Sequence, residues 1–138
     1  MRTWVLTSIR TAGWAPILVF MSHVVASRGL EAYHDAPWLD IPMHFLGGVA
    51  IAYFFWRSVT SPAAGPVLGA MSAFGNVVLT LALTCASTVV WEFAEWTTDR
   101  LGWTHAQGGL DDTILDMLLG ITGGAAFLVL ALLHRRAV

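Results

Sequence analysis

Apolar positions in this chain cluster in four long runs, with almost no two-residue alternation between apolar and polar positions. A bilayer's hydrocarbon core takes about 20 apolar residues per helix, and about 17 is the practical minimum. The runs Thr11–Ser27, Trp38–Thr60, Val67–Trp91 and Ile114–Leu133 meet that requirement. The first is short and contains Pro16, which a membrane helix can accommodate. The second is interrupted by Asp40, His44 and Arg57, the third continues into an acidic stretch, and the fourth holds a single charge, Asp116. The predicted helices are therefore 11–27, 38–60, 67–98 and 112–133. Their connections are short: Arg28–Pro37, the Pro- and Gly-containing turn Ser61–Pro66, and Asp99–Asp111 with Gly102, Gly108 and Gly109. Short connections favour antiparallel neighbours, so the expected fold is an all-α integral membrane protein. Residues 1–138 form one domain, a four-transmembrane-helix up-and-down bundle. The first run also has the outline of a signal peptide, with Arg2 and Arg10 before it and Val24-Val25-Ala26 near its end. It is read here as the first membrane helix.

Charge sharpens the topology. Arg2, Arg10, Arg57, Arg135 and Arg136 fall on one side of such a bundle, against Arg28 and Arg100 on the other. The arginine-rich side is expected to be cytoplasmic, which puts both termini inside. All nine acids (Glu31, Asp35, Asp40, Glu92, Glu95, Asp99, Asp111, Asp112 and Asp116) then lie in the outer half. The tryptophans sort to the two interfaces, Trp4, Trp14 and Trp56 inside and Trp38, Trp91, Trp96 and Trp103 outside. Charged residues make up 12% of the chain, about half the globular norm. A net charge of −2 gives no general case for nucleic acid as a partner. Cys85 is the lone cysteine, so no intrachain disulfide can form.

The acids carry the candidate chemistry. In Trp91-Glu92-Phe93-Ala94-Glu95-Trp96-Thr97-Thr98-Asp99, three carboxylates recur at steps of three and four, which stacks them on one helical face. Asp40 and His44 share a face one turn apart at the start of the second helix, as do Asp112 and Asp116 at the start of the fourth. His23 lies near the outer end of the first. The topology brings all of these to about one depth, with Glu92 roughly 12 Å below Arg100 along its helix. Small residues continue the same faces: Gly47 and Gly48 after His44, and Gly120, Gly123 and Gly124 after Asp116. Small residues let membrane helices approach closely. Asn76, Thr80, Thr84, Thr88 and Glu92 form a polar ribbon at steps of four.

Carboxylates cost a few kcal/mol each inside hydrocarbon, and converging ones repel unless a cation or a shared proton sits among them. Oxygen ligands with an imidazole suit a divalent ion: Mg, Mn, Fe or Zn. The candidate metal ligands are Asp40, His44, Glu92, Glu95, Asp112 and Asp116. Such an ion could activate water or bind a lipid phosphate. Plainer readings stand beside this one. Asp99 and Asp111 fit solvated loop ends, while Asp40, Asp111 and Asp112 suit a helix N-terminus. The threonine ribbon fits helix packing better than conduction, Cys85 fits core filler, and His34 and His105 fit loops. His23 fits a ligand or a simple interhelical hydrogen bond equally well.

Taken in order, Asp40-x-x-x-His44 with Gly47-Gly48, Trp91-Glu92-x-x-Glu95-x-x-x-Asp99, and Asp112-Thr113-x-x-Asp116-x-x-x-Gly120 resemble the YjdF-type small inner-membrane proteins. More distantly the chain is similar to the VanZ-like (teicoplanin-resistance) family. That pattern has Asp-Lys-x-x-His, Glu-x-x-Gln and Asp-x-x-x-Asn; here Ile41, Glu95 and Asp116 replace the Lys, Gln and Asn. The site is thereby more acidic and better suited to a cation. The resemblance spans residues 38 to 124 and implies a multi-helix protein of the inner membrane, connected with the envelope and with lipophilic compounds. Three functions follow as expectations. One is a metal-dependent enzyme acting on a lipid headgroup or other amphiphile. Another is a cation, proton or small-ligand transporter, which as a homo-oligomer would enclose a wider pore than four short helices can. The last is a structural protein whose acids pair helices. Membrane lipids are the expected partners throughout. No Ser-His-Asp constellation, phosphate loop or haem motif accompanies the acids.

Overall fold

The computed structural model describes residues 1–30 and 32–136. Glu31, one of the acids assigned above to the outer half, lies outside the described residues, and so do the side chains of Arg28, His34, Arg135 and Arg136. The described residues are all-helical, without strands. Seven α-helices follow one another: α1 (Arg2–Ala12), α2 (Trp14–Val24), the short α3 (Ala32–Asp35), α4 (Asp40–Val59), the short α5 (Gly65–Leu68), α6 (Ala73–Arg100) and α7 (Leu110–Arg136). Among the described residues, three segments are long and apolar enough to cross a membrane: Pro37–Val59, Ala73–Arg100 and Leu110–His134. The pair Arg2–Ala12 and Trp14–Ser27 adds a fourth if taken as one span bent by 57°.

That bend has a local cause. Pro16 cannot donate to the Ala12 carbonyl and its ring crowds that carbonyl, so the helix breaks at residues 12–13. The sequence pattern had one helix over 11–27; the chain instead turns at Gly13 and ends α2 in a π-helical turn, Val25–Gly29. Helix α1 had no counterpart in the apolar runs, because it is amphipathic. It buries Ser8 and Ala12, and the Trp4 indole N–H donates to the Ser58 carbonyl at the far end of α4 (2.9 Å). The third long helix begins at Ala73, later than the expected 67. Residues 65–68 form their own turn, stopped by Gly69 at φ +73°, and the Ser72 hydroxyl then caps α6 by accepting the Gly75 N–H.

Large apolar side chains point outward along the long helices; Val90, Phe93 and Leu130 are each about two-thirds exposed. Hydrocarbon is the medium that makes such a surface stable. Much of the interior is instead small or polar: Ala50, Ala52, Thr80 and Thr84 are buried, alongside Trp56, Val59 and Leu128. This is how membrane helices achieve close packing. Helix α4 is central, packed on α1, α2, α6 and α7, and its tightest partner is α7.

The α4–α7 pair meets in layers one helical turn apart. His44 faces Asp116, Gly48 faces Gly120, and Ala52 faces Gly124. A methyl group on Gly48 would overlap the Gly120 carbonyl oxygen, and one on Gly123 would overlap the Phe45 carbonyl oxygen. Helix α6 completes the layers, with Thr88 against Gly120 and Thr84 against Gly124. The polar ribbon thus serves packing: the Thr84 hydroxyl donates to the Thr80 carbonyl (2.8 Å) and the Thr88 hydroxyl to the Cys85 carbonyl (2.8 Å). The next two layers are made of glycine, alanine and threonines whose hydroxyls bond to their own helix. The first layer is the charged one.

Candidate functional site

His44 sits at the centre of the charged layer. Its Nε2 lies 3.4 Å from Asp40 Oδ1 on the preceding turn of α4 and 3.7 Å from Asp116 Oδ2 on α7. Among the described residues, two sets of side chains each gather one ligand atom per residue within 4.8 Å: Asp40, His44 and Asp116, and His44, Glu92 and Glu95. The imidazole belongs to both. Glu92 on α6 and Asp116 on α7 are buried, 5% and 4% exposed, so two helices each deliver a carboxylate to the interior. Asp40 remains about one-third exposed at its side chain, toward the acidic end of the bundle.

Five of the six sequence-predicted ligands therefore converge from three helices. Asp112 does not join them. Its carboxylate accepts the Gly108 N–H (2.9 Å) at the start of α7, the N-terminal role that its position also allowed. Asp99 likewise serves the loop. It accepts the Thr104 hydroxyl and the backbone N–H groups of Ala106 and Gln107 (2.9 and 3.0 Å), folding residues 101–109 back toward α7. Gln107 then reaches the Glu92 carbonyl and the Thr113 hydroxyl with its side-chain amide. In Asp99→Ala, hydrogen exchange at the Ala106 and Gln107 amides should accelerate at least tenfold while the amides of α4 stay protected. Unchanged exchange would show that the loop is held by something else.

Aromatic groups border the acids, and of these the sequence pattern left Tyr33 unmarked. The Trp91 indole N–H donates to Glu95 Oε1 at 2.7 Å. The His23 ring stands edge-on to Trp91 at 5.3 Å, and its Nδ1 is hydrogen-bonded to the Tyr33 hydroxyl (3.0 Å). Tyr33 carried no spacing signal, since it lies in a short connecting segment and reaches the site through the chain's return over α2. Burial, reinforced by the negative charges of Asp40 and Glu95, pushes its phenol from 10.0 up to about 12. The folded state thus holds this proton more tightly than the unfolded chain, so Tyr33 favours folding fully below pH 10 and progressively less as pH rises toward 12. In a Tyr53→Phe background, tyrosinate absorbance should titrate near pH 12, and Asp40→Asn should move the midpoint down. A midpoint at the ordinary value in the parent would show Tyr33 to be remote from the acids.

Beneath the charged layer lies a cavity of about 220 Å³, and His44, Glu92 and Asp116 form part of its wall. The remainder of the wall is mainly apolar, drawn from α2, α4 and α6, with Phe20, Met43, Ile51 and Trp91 among its members.

A family model described as "Predicted membrane protein (DUF2238)" matches residues 3–137. The chain belongs to this family. Among individual relatives, a Thermotoga maritima protein described as uncharacterized is 36% identical over 107 residues, which is 73% of this chain and 51% of the relative. The chain spans about half the length of that curated relative. No solved structure matches. Membership in DUF2238 and three to four apolar helices agree on a multi-pass membrane protein.

Proposed function

We propose that this DUF2238 protein binds a divalent cation at the His44 cluster, close to the outer face of the inner membrane. The observation that carries the proposal is the sharing of one imidazole by two carboxylate pairs, Asp40 with Asp116 and Glu92 with Glu95, drawn from three helices. Ligands on opposite sides of an ion with bonds of about 2.1 Å lie roughly 4.2 Å apart. Within each set the ligand atoms lie within 4.8 Å of one another, and His44 Nε2 is 3.4 Å from Asp40 and 3.7 Å from Asp116, separations that an ion can bridge. Four carboxylates and one imidazole form a hard, oxygen-rich donor set that suits Mg, Mn, Fe or Zn. His44, Asp116, Glu92, Glu95 and Asp40 would hold the ion. In that place it would polarise a bound phosphate or water. The catalytic extension of this reading is hydrolysis or transfer at a lipid headgroup, with the membrane supplying the substrate.

The topology that accompanies this reading is a single four-span bundle with both termini cytoplasmic. Helix α2 with its π-helical tail is roughly 24 Å long, short of the roughly 30 Å core. The fourth span therefore needs α1, whose Arg2 and Arg10 would lie at the cytoplasmic interface. The acids would then face outward. DUF2238 membership is compatible with the YjdF-type resemblance, and the VanZ-like and envelope connections remain part of the proposal.

Elemental analysis of purified protein before and after chelation tests it. The expected result is close to one divalent ion per chain, lost on chelation together with some thermal stability. Glu92→Gln and Asp116→Asn should each lose the ion. Metal-free protein whose stability ignores chelators would overturn the proposal and favour the structural reading. One observation already speaks for that second reading: the direct approach of His44 to Asp116 ties α4 to α7 without any ligand.

A further inference from the structure

The cavity beside the cluster is too large and too apolar to serve the ion alone. At about 220 Å³ it exceeds the roughly 150 Å³ of an apolar cavity that holds one benzene, and it has room for about seven water-sized groups at roughly 30 Å³ each. A short run of methylenes is of that size. Pro16, Val19 and Phe20 of α2 form one wall, Gly47 and Ile51 of α4 the floor, and Ser87 and Trp91 of α6 belong to the facing wall. Helix α2 packs on α4, but no comparable packing joins α2 to α6. Among the described residues, the gap between them is crossed by ring contacts at its acidic end: Phe20 edge-on to Trp91 at 5.9 Å, and His23 to the same indole. Phe20 is also 43% exposed, so the rim of the cavity meets the surrounding hydrocarbon.

We infer that this cavity receives the hydrocarbon chain of a membrane-resident amphiphile with an ammonium head group, the head lying among His44, Glu92 and Asp116. Charge complementarity selects the head. Four carboxylates face one imidazole, and Glu92 and Asp116 are both buried and part of the cavity wall. An anionic head would add like charge to a site that hydrocarbon already penalises, whereas an ammonium group supplies the counter-charge and three hydrogen-bond donors. The chain end selects the route. An amphiphile moving within the membrane reaches the cavity sideways, between α2 and α6, without crossing the loops at the acidic end. The inference rests on reading the cluster as a cation site, and it makes the organic cation a competitor of the metal ion.

The structure supplies a clean variant. A methyl group added at Gly47 meets nothing within 4 Å, so a larger side chain there enters the cavity without disturbing the Gly48–Gly120 contact. The test uses the full chain in lipid nanodiscs with three photoactivatable probes of equal chain length: an alkylamine, an alkyl phosphate and an alkyl alcohol, each with a mid-chain diazirine. The alkylamine should label Phe20, Ile51 or Ser87 at least tenfold more than the other two probes, and Gly47→Leu or Ile51→Trp should reduce that labelling at least tenfold. Labelling spread evenly over lipid-facing residues, or unaffected by both variants, would overturn the inference. Stronger labelling by the alkyl phosphate would overturn its head-group assignment. Added Mn²⁺ should displace the alkylamine. Specific alkylamine labelling that ignores Mn²⁺, in protein that retains no metal, would leave this inference standing and overturn the divalent-ion proposal.

Discussion

Gly48→Ala is expected to prevent α4 and α7 from docking, with a loss of folded protein far beyond what one methyl group usually causes. The added carbon would occupy the position of the Gly120 carbonyl oxygen, which is backbone and cannot rotate away. Overpacking a tight interface costs about 1–3 kcal/mol and sometimes more. A clash with backbone at the closest helix contact belongs at the upper end, about 3 kcal/mol or beyond. Gly123→Ala should behave similarly, because its added carbon would meet the Phe45 carbonyl. Gly47→Ala, one residue away on open space, should be close to neutral. Thermal unfolding in detergent, followed by circular dichroism, separates the two neighbours. Equal stability of Gly48→Ala and Gly47→Ala would mean that the α4–α7 register described above is wrong.

His44→Ala is expected to have the largest effect on the site. Each carboxylate belongs to one of the two ligand sets, whereas His44 belongs to both. Loss of a group that merely orients a ligand typically weakens metal binding 10- to 100-fold. Removal of a shared ligand should therefore weaken it by at least about 100-fold. The variant also leaves four carboxylates facing one another without the imidazole, so its residual affinity should depend more steeply on ionic strength than that of the parent. Asp40→Asn, at the partly exposed rim, should cost less than tenfold. Isothermal titration with Mn²⁺ across the three proteins gives the order directly. His44→Ala with parental affinity would place the ion elsewhere or remove it from the account.

Much of the site was legible because helical periodicity converts spacing into position. His44-x-x-x-Gly48-x-x-x-Ala52 and Asp116-x-x-x-Gly120-x-x-x-Gly124 each place an ionisable residue one turn above a small one, and Glu92-Thr88-Thr84 repeats the step on α6. Three such faces pack in register, and the ionisable residues meet. Asp112 has the same spacing to Asp116, yet it lies in the first turn of α7, where a backbone N–H competes for its carboxylate. Periodicity does not distinguish a residue at the end of a helix from one a turn further in. Helix α1 escaped notice because an apolar-run criterion rejects a helix that carries Arg2, Thr3, Thr7, Ser8 and Arg10 among its apolar residues. Tyr33 and the cavity wall were invisible for a different reason. Both depend on tertiary contacts of α2, the cavity wall through α2 against α4 and Tyr33 through His23, which no repeating pattern specifies.

The interlocked glycine layers also decide which parts of the molecule can yield. Carbonyl oxygens of Gly120 and Phe45 seat against bare Cα atoms, so α4 and α7 cannot slide past each other without climbing over backbone. The open side of the cavity accordingly lies against α2, next to the bend at residues 12–13, and not between α4 and α7.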